Sequence, residues 1–470
     1  MTEDASKLVV IGHGAAGLAA ALAAAETARD RRFPIEITVL EKAAQAEAGG
    51  NTRWSPSYMR MAATDRIAPD FDRDMQLASG GRADRGYFRT LAENAAPTIA
   101  WLQRKGVEFS TPVYYLSAGP PRIQPNGGGR AIVERLSEAV RRADVRILYE
   151  CPATRIAAGE RRRYVLETAG GHGEQALQAD AIIFASGGFQ GSAEMMRAQF
   201  GPTAATMKLI SPGTGFDTGD GIRLAQGLGA SLSGDWNGMH AEPIDPRSRQ
   251  SAPVVLVYPY GIVVDRNGQR FFDEGSGLVH ETWEAFARDI HFSRPGGIAY
   301  AILDSRLFDI PGFERAIRSE IAPYEAATLD ALAAMIEVPA DALNKTVRSF
   351  NEAATGDSRR FDATSCDGLA TDGLVPPKSN WARPIAKAPF VAYPLVGAIA
   401  YTFGGVATNE RAELLGDDGI IAGLYAAGEV TGQFYGTAPN AVAMLRAAVF
   451  GKIAGERAVD FLARNSNQDR

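Results

Sequence analysis

Lys7-Leu8-Val9-Val10-Ile11-Gly12-His13-Gly14-Ala15-Ala16-Gly17-Leu18 sets a short β-branched apolar run directly against three spaced glycines. An Ala/Leu segment then continues to about Arg29, 35–40 supplies a second apolar run, and Glu41 stands at its end. The pattern predicts strand, tight turn, helix and second strand. Each glycine has a mechanical task there: Gly12 makes the turn, Gly14 lets the backbone approach a pyrophosphate, and Gly17 lets helix pack on strand. The first helical turn, with Ala15 and Ala16, offers free N–H groups to negative phosphate. Glu41 is placed to accept the hydroxyls of an adenosine ribose and would repel a 2′-phosphate. The stretch predicts a dinucleotide site on a Rossmann-like α/β fold.

Two further segments decide which dinucleotide. Lys42 follows Glu41, and Gly49-Gly50-Asn51-Thr52 comes soon after the second strand, where backbone amides and a hydroxyl reach a pyrophosphate and flavin. Far downstream, Leu424-Tyr425-Ala426-Ala427-Gly428-Glu429 reads as a strand ending in Gly-Glu, placed for a ribityl chain. A helix expected to begin near Asn440, with Ala441 and Val442, would point its positive end at the flavin ring. An NAD domain needs no second element so far along the chain, so FAD is the expected cofactor.

The 470 residues allow two or three domains, and 50 glycines plus 25 prolines stay below the proportion of a low-complexity chain. A net charge of −6 without a basic block excludes a nucleic-acid groove, which needs clustered Lys and Arg. The short runs Arg31-Arg32, Arg141-Arg142 and Arg161–Arg163 are expected on solvated faces. Cys151 and Cys366 stand alone, so no zinc, iron–sulfur or haem site is expected, and both are read as free buried thiols. Residues 8–25 are uncharged for 18 positions, the length at which a membrane helix becomes a candidate. The stretch is Ala- and Gly-rich and contains His13, so it reads as a buried strand turning into a helix. No basic segment precedes it and no cleavage site follows, which predicts a cytoplasmic protein without a membrane span.

Five more pieces, Ala185-Ser186-Gly187-Gly188-Phe189, Thr218-Gly219-Asp220-Gly221, 268–274, Thr402-Phe403-Gly404-Gly405-Val406 and 449–455, extend the pattern of Glu41-Lys42 and 423–429. With these motifs in order along almost the whole chain, the sequence resembles the fumarate reductase/succinate dehydrogenase flavoprotein superfamily. Phe272-Asp273-Glu274-Gly275 and 376–384 look most like its tricarballylate dehydrogenase branch. The resemblance implies an α/β, Rossmann-like FAD-binding domain split in sequence, with an inserted α+β capping domain. Residues 1–238 and 377–470 are the expected halves of the FAD domain and 239–376 the cap, with the active site where cap meets flavin.

Carried over residue by residue, the resemblance is informative mainly for its failures. One substrate-binding histidine of the superfamily's dicarboxylate reductases matches His240, and the second position holds Tyr401. The catalytic arginine position falls on Leu278, the proton-relay positions on Val254 and Val257, and a carboxylate-binding arginine near Ala438. Apolar side chains cannot pass protons, so a fumarate reductase is disfavoured. The position of the covalent flavin link in succinate dehydrogenases is Asn51, which implies noncovalent FAD.

The remaining candidates follow from residue chemistry. Tyr401 is the first candidate for proton transfer, provided neighbours lower its pKa from ~10. His240 is a candidate for holding a carboxylate or carbonyl oxygen, and His280 for replacing the lost arginine. Tyr435, between Glu429 and the flavin-facing helix, is a candidate substrate contact, as in ketosteroid dehydrogenases of the superfamily. Gly127-Gly128-Gly129 opens an amphipathic helix whose amides, with Arg130, are a candidate anion site. The expected activity is FAD-dependent oxidation of a C–C bond next to a carbonyl or carboxylate of a small molecule, a tricarballylate-like acid by resemblance. The alternatives are a ketosteroid or cyclic-ketone dehydrogenase using tyrosines, and a flavin electron-transfer subunit. The electrons are expected to leave to oxygen, a quinone or a separate acceptor protein.

Overall fold

A computed structural model describes residues 5–116, 119–159, 162–170 and 175–466. Strand β1 (Ser6–Ile11) turns at Gly12-His13-Gly14 into helix α1 (Ala15–Arg31), which returns to β2 (Ile35–Leu40). Leu8 and Val10 enter one apolar cluster and Val9 and Ile11 another. A strand buried on both faces is the centre of a parallel sheet, which is why this run is continuously apolar. β2 pairs parallel with one edge of β1, and β3 (Arg146–Leu148) continues beyond it. On the other edge lies β4 (Ala181–Phe184), also parallel to β1.

A second sheet begins with β5 (Met239–Ile244), crossed by helix α2 (Val279–Ser293), and is organised by the 13-residue strand β6 (Phe390–Thr402). The first half of β6 pairs antiparallel with Ala299–Asp304 in the inserted segment, and its second half pairs with β5. Trp381 packs on Tyr260, and Ile385 shares a cluster with Leu332 and Leu343. Residues 381–402 therefore pack with segment 239–376, which supplies both of these partners of β6. Strand β7 (Gly419–Ala426) then returns to the first sheet beside β4, and helix α3 (Ala443–Ser466) closes the chain's fold against α1.

That last contact explains the uncharged 8–25 stretch. A Cβ at Gly451 would stand 2.4 Å from the Ala16 carbonyl oxygen and one at Gly455 2.1 Å from that of Ala20. Small residues on both helices let the backbones meet, so the alanines of α1 face protein on every side. Among the described residues no helix is long and apolar enough to cross a membrane.

Several sequence expectations need correction. The helix expected near Asn440 starts at Ala443, because Ala441 sits in the left-handed region with φ 60°. Cys151 is buried, but Cys366 is exposed. Arg31 pairs with Asp460 at 2.5 Å and Arg162 with Asp180 at 2.6 Å, so these are not merely solvated charges. Arg161 lies outside the described residues.

Candidate active site

One cavity runs from Glu41 and Lys42, past Gly12, Gly14 and Ala16, along Gly50–Thr52, Ser186, Gly187 and Gly428-Glu429, to Asn440–Val442. Its first bend exists because Gly12 has φ +113° and passes so close to β4 that a Cβ would stand 2.2 Å from the Ala185 carbonyl oxygen. Only glycine adopts that conformation without strain. Gly17 lies over Gly12, whose carbonyl oxygen would be 1.9 Å from an added Cβ. Glu41 is buried, its carboxylate accepting from the amides of His13 at 3.1 Å and Ala43 at 2.7 Å. Burial raises its pKa against these hydrogen bonds. Lys42 donates to Asp220 at 2.9 Å and Thr218 at 2.6 Å, closing the same end.

Several polar atoms along this path have no partner. The hydroxyl of Ser186 and the Oδ1 of Asn440 are buried without a hydrogen bond among the described residues, and both residues line the cavity. Buried polar atoms are almost always satisfied, so a polar ligand threading the cavity completes them. FAD fits this cradle: glycine clearance at the turn, an acid at the ribose end and a helix start at each end. Asn51 donates to the Ala400 carbonyl at 2.8 Å and accepts from Ser211 at 2.9 Å. Its carboxamide is not a nucleophile and both ends are engaged, which suits noncovalent binding. Glu429 accepts from the Thr402 amide at 3.1 Å, and burial lifts its pKa to about 7.

Four expected cofactor residues do not line the cavity. Ala15 donates its amide to Thr52 at 3.2 Å, and Gly17 serves the turn. Gly49 backs the loop against Val133, and Gly404 packs on the Trp236 ring, 2.6 Å from an added Cβ. Their small size is used in packing rather than in ligand approach.

Beyond Asn440 the cavity ends in a chamber. β5 and β6 bring His240 and Tyr401 opposite each other, with ring centroids 4.9 Å apart. His240 Nδ1 lies 2.9 Å from Glu284 and its Nε2 3.1 Å from Glu242. Burial opposes charge on this ring, but the two carboxylate hydrogen bonds outweigh it and raise the pKa to about 9. His240 is therefore an imidazolium with both N–H groups engaged. Tyr401 is held well above its ordinary pKa, first by burial and then by the nearby Glu284 carboxylate. The condition set for Tyr401, a pKa lowered by its neighbours, is not met: Tyr401 is a protonated phenol, the state a proton donor requires, though a weakened acid.

Two other candidates lie away from the cavity, and a third lines it in a different charge state. Arg130 is exposed on the helix Gly128–Arg142, outside the cavity, and the Gly129 amide is engaged by the Ser55 carbonyl at 3.0 Å. Tyr435 lies outside the cavity, its hydroxyl accepting from the Gly234 amide at 3.2 Å. His280 does line the chamber, edge-on to Tyr114, but burial lowers its pKa, so it is neutral and cannot stand in for an arginine. Val254 and Val257 sit in an apolar cluster, and Leu278 immediately precedes α2. Ala438 lines the cavity and donates its amide to Glu284 at 3.3 Å.

Two of the chamber's cations come from arginines that motif matching missed. Arg122, 3% exposed, lies between the rings of Tyr58 and Tyr114, 3.7 and 3.9 Å from their centroids. Arg318 donates to the Tyr58 hydroxyl at 2.7 Å and faces Tyr115. Tyr115 and Trp283 complete the wall, edge to face at 5.9 Å. The only sequence signal was the density of aromatic residues at Tyr114-Tyr115.

The model of the family described as FAD binding domain matches residues 7–443. The chain is 29% identical over 406 residues to the NADH:acrylate oxidoreductase of Vibrio harveyi, covering 79% of this chain but 37% of that protein. It is 26% identical over 479 residues to a probable fumarate reductase, Ifc3, of Shewanella frigidimarina (strain NCIMB 400), covering 97% of this chain and 75% of the relative. The fold matches the open conformation of a flavocytochrome c3 fumarate reductase with a TM-score of 0.75 at 23% identity, over 98% of this chain and 79% of the other.

Proposed function

Because the chain belongs to the FAD binding domain family, within the fumarate reductase/succinate dehydrogenase flavoprotein superfamily, we propose that it is an FAD-dependent oxidoreductase that adds or removes hydrogen across a C–C bond beside a carboxylate or carbonyl. The observation that supports this reading is one cavity joining the dinucleotide cradle to a chamber with a protonated phenol and a fixed imidazolium. Bound FAD supplies hydride transfer at its ring. The chain's residues supply the proton and the electrostatics.

Tyr401 is kept neutral by burial and neighbouring carboxylates, so in the reductive direction it is the donor to the carbon adjacent to the one that receives hydride. Donation leaves the same phenolate that abstraction requires, so this pKa does not choose the direction; the similarity to an acrylate oxidoreductase and a probable fumarate reductase leads us to favour reduction of an activated C=C bond. His240 cannot act as a base while both nitrogens donate to carboxylates; it supplies positive charge beside the enolate-like oxygen that develops. A tricarballylate-like acid, suggested by two motifs, would bring three carboxylates to a chamber whose arginines already face Glu242. We favour a single carboxylate. A cyclic-ketone dehydrogenase is the second reading, supported by Tyr401 as a phenol able to polarise a ketone.

The test is anaerobic: the flavin of the purified holoenzyme is reduced chemically and mixed with acrylate, cinnamate, fumarate, aconitate (the unsaturated counterpart of tricarballylate) or cyclohexenone. Reoxidation by an unsaturated acid, slowed ~10²–10⁴-fold in Tyr401→Phe with FAD content unchanged, supports the proposal. Failure of every acid and enone to reoxidise the flavin overturns it.

A further inference from the structure

The guanidinium of Arg122 is almost completely buried, yet its Nε and Nη2 have no hydrogen-bond acceptor among the described residues. Tyrosine rings cover both of its faces, so only its edge is left for hydrogen bonding. Burying an unpaired cation costs several kcal/mol in general, and such groups are held where something else completes them. Nε and Nη2 are the two nitrogens that a carboxylate engages side-on, with parallel hydrogen bonds in the plane of the guanidinium. Arg122 lines the same cavity as His240, Tyr401 and Arg318.

The charges that wall this chamber set the charge of its ligand. Arg122, Arg318 and the His240 imidazolium face the Glu242 and Glu284 carboxylates, which leaves one positive charge uncompensated among these five; Arg446, on the same cavity, is set against Glu429. Arg60, behind the wall, is spent on Asp70 and Asp74, and His280 is neutral. The remaining wall is aromatic: Tyr58, Tyr115, Trp283 and Tyr401. Flat apolar surfaces of this kind hold planar groups by stacking and edge contacts.

Resting on the oxidoreductase reading above, we propose that Arg122, seconded by Arg318, is the carboxylate clamp of the site, and that the substrate is a planar, conjugated monocarboxylate. The clamp comes from the loop before the helix Gly128–Arg142 and takes the place of the carboxylate-binding arginine missing near Ala438.

The experiment uses the oxidised holoenzyme and two probes of equal shape, cinnamate and its neutral amide, with binding read from the perturbation of the flavin absorbance spectrum. Cinnamate is expected to bind at least ~30-fold tighter than the amide, the range of a charge-assisted bidentate contact. Arg122→Gln is expected to weaken cinnamate by ~30-fold and leave the amide within ~3-fold, whereas Arg122→Lys, which keeps charge but loses the fork, falls between. With whichever acid reoxidises the reduced flavin, Arg122→Gln raises KM and changes kcat little. Should Arg122→Gln lose FAD, Arg122→Lys and Arg318→Gln carry the same comparison. Equal binding of acid and amide, or cinnamate binding indifferent to all three variants, overturns the clamp. Turnover of cyclohexenone alone, with no cinnamate binding, would leave the oxidoreductase reading standing and the clamp refuted. Arg122-dependent cinnamate binding without turnover of any acid or enone would do the reverse.

Discussion

Replacing His240 by Gln tests the electrostatic heart of the chamber. The ring is raised from 6.5 to about 9 because its two carboxylate hydrogen bonds outweigh burial. A group whose folded pKa exceeds its unfolded value contributes stability that is fully present below the unfolded pKa and is lost as pH rises through the folded one. The window is therefore pH 6.5 to about 9. Each unit is worth ~1.4 kcal/mol, so the contribution is about 3 kcal/mol at pH 6 and close to zero at pH 10. The assay is urea denaturation of wild type and His240→Gln from pH 6 to 10, reading the difference between them so that groups common to both cancel. The wild-type advantage should shrink by that amount across the window. A direct readout accompanies it: the chain has 5 histidines, so ¹³C-labelled imidazole signals can be assigned by difference. The signal missing in His240→Gln should stay in its charged position at pH 7.5 and titrate near 9. A signal that titrates at or below 6.5, with a stability difference independent of pH, would refute the imidazolium and its role beside Tyr401.

Gly17→Ala places a Cβ 1.9 Å from the Gly12 carbonyl oxygen, so the protein should emerge insoluble or free of flavin, as judged by the ratio of absorbance at flavin and protein wavelengths. Tyr435→Phe removes one hydrogen bond to the Gly234 amide, worth ~1 kcal/mol, and Arg130→Ala touches only an exposed charge. Both should keep turnover within ~2-fold of wild type, since neither residue lines the cavity. Acid precipitation of the holoenzyme should leave all flavin in the supernatant, because Asn51 provides no linkage; flavin retained in the pellet would contradict this.

The FAD cradle was legible in the sequence because its geometry forces residue types. A φ of +113° beside β4 admits glycine alone, and a helix start needs no Cβ where phosphate approaches, so Gly12, Gly14 and Gly17 mark the turn wherever the fold occurs. Nothing comparable marks the chamber. Arg122 comes from a loop, Glu284 from α2, Arg318 from the segment after Phe313–Ala316, and His240 and Tyr401 from paired strands. A side chain's reach into a shared space is set by tertiary packing, and five short segments carry no common period. Motif matching at Leu278, Val254, Val257 and Ala438 registered what the chain lacks but had no means of registering charge delivered from elsewhere. Tyr401 shows the same limit in one residue: its position followed from the strand motif, but its protonation depends on burial first and then on Glu284, 117 positions earlier in the chain. The lost arginines therefore do not make the site neutral. With Arg122 and Arg318 supplied along new paths, the recognition of an anion is separated from the machinery that moves the proton, which leaves each free to change without the other.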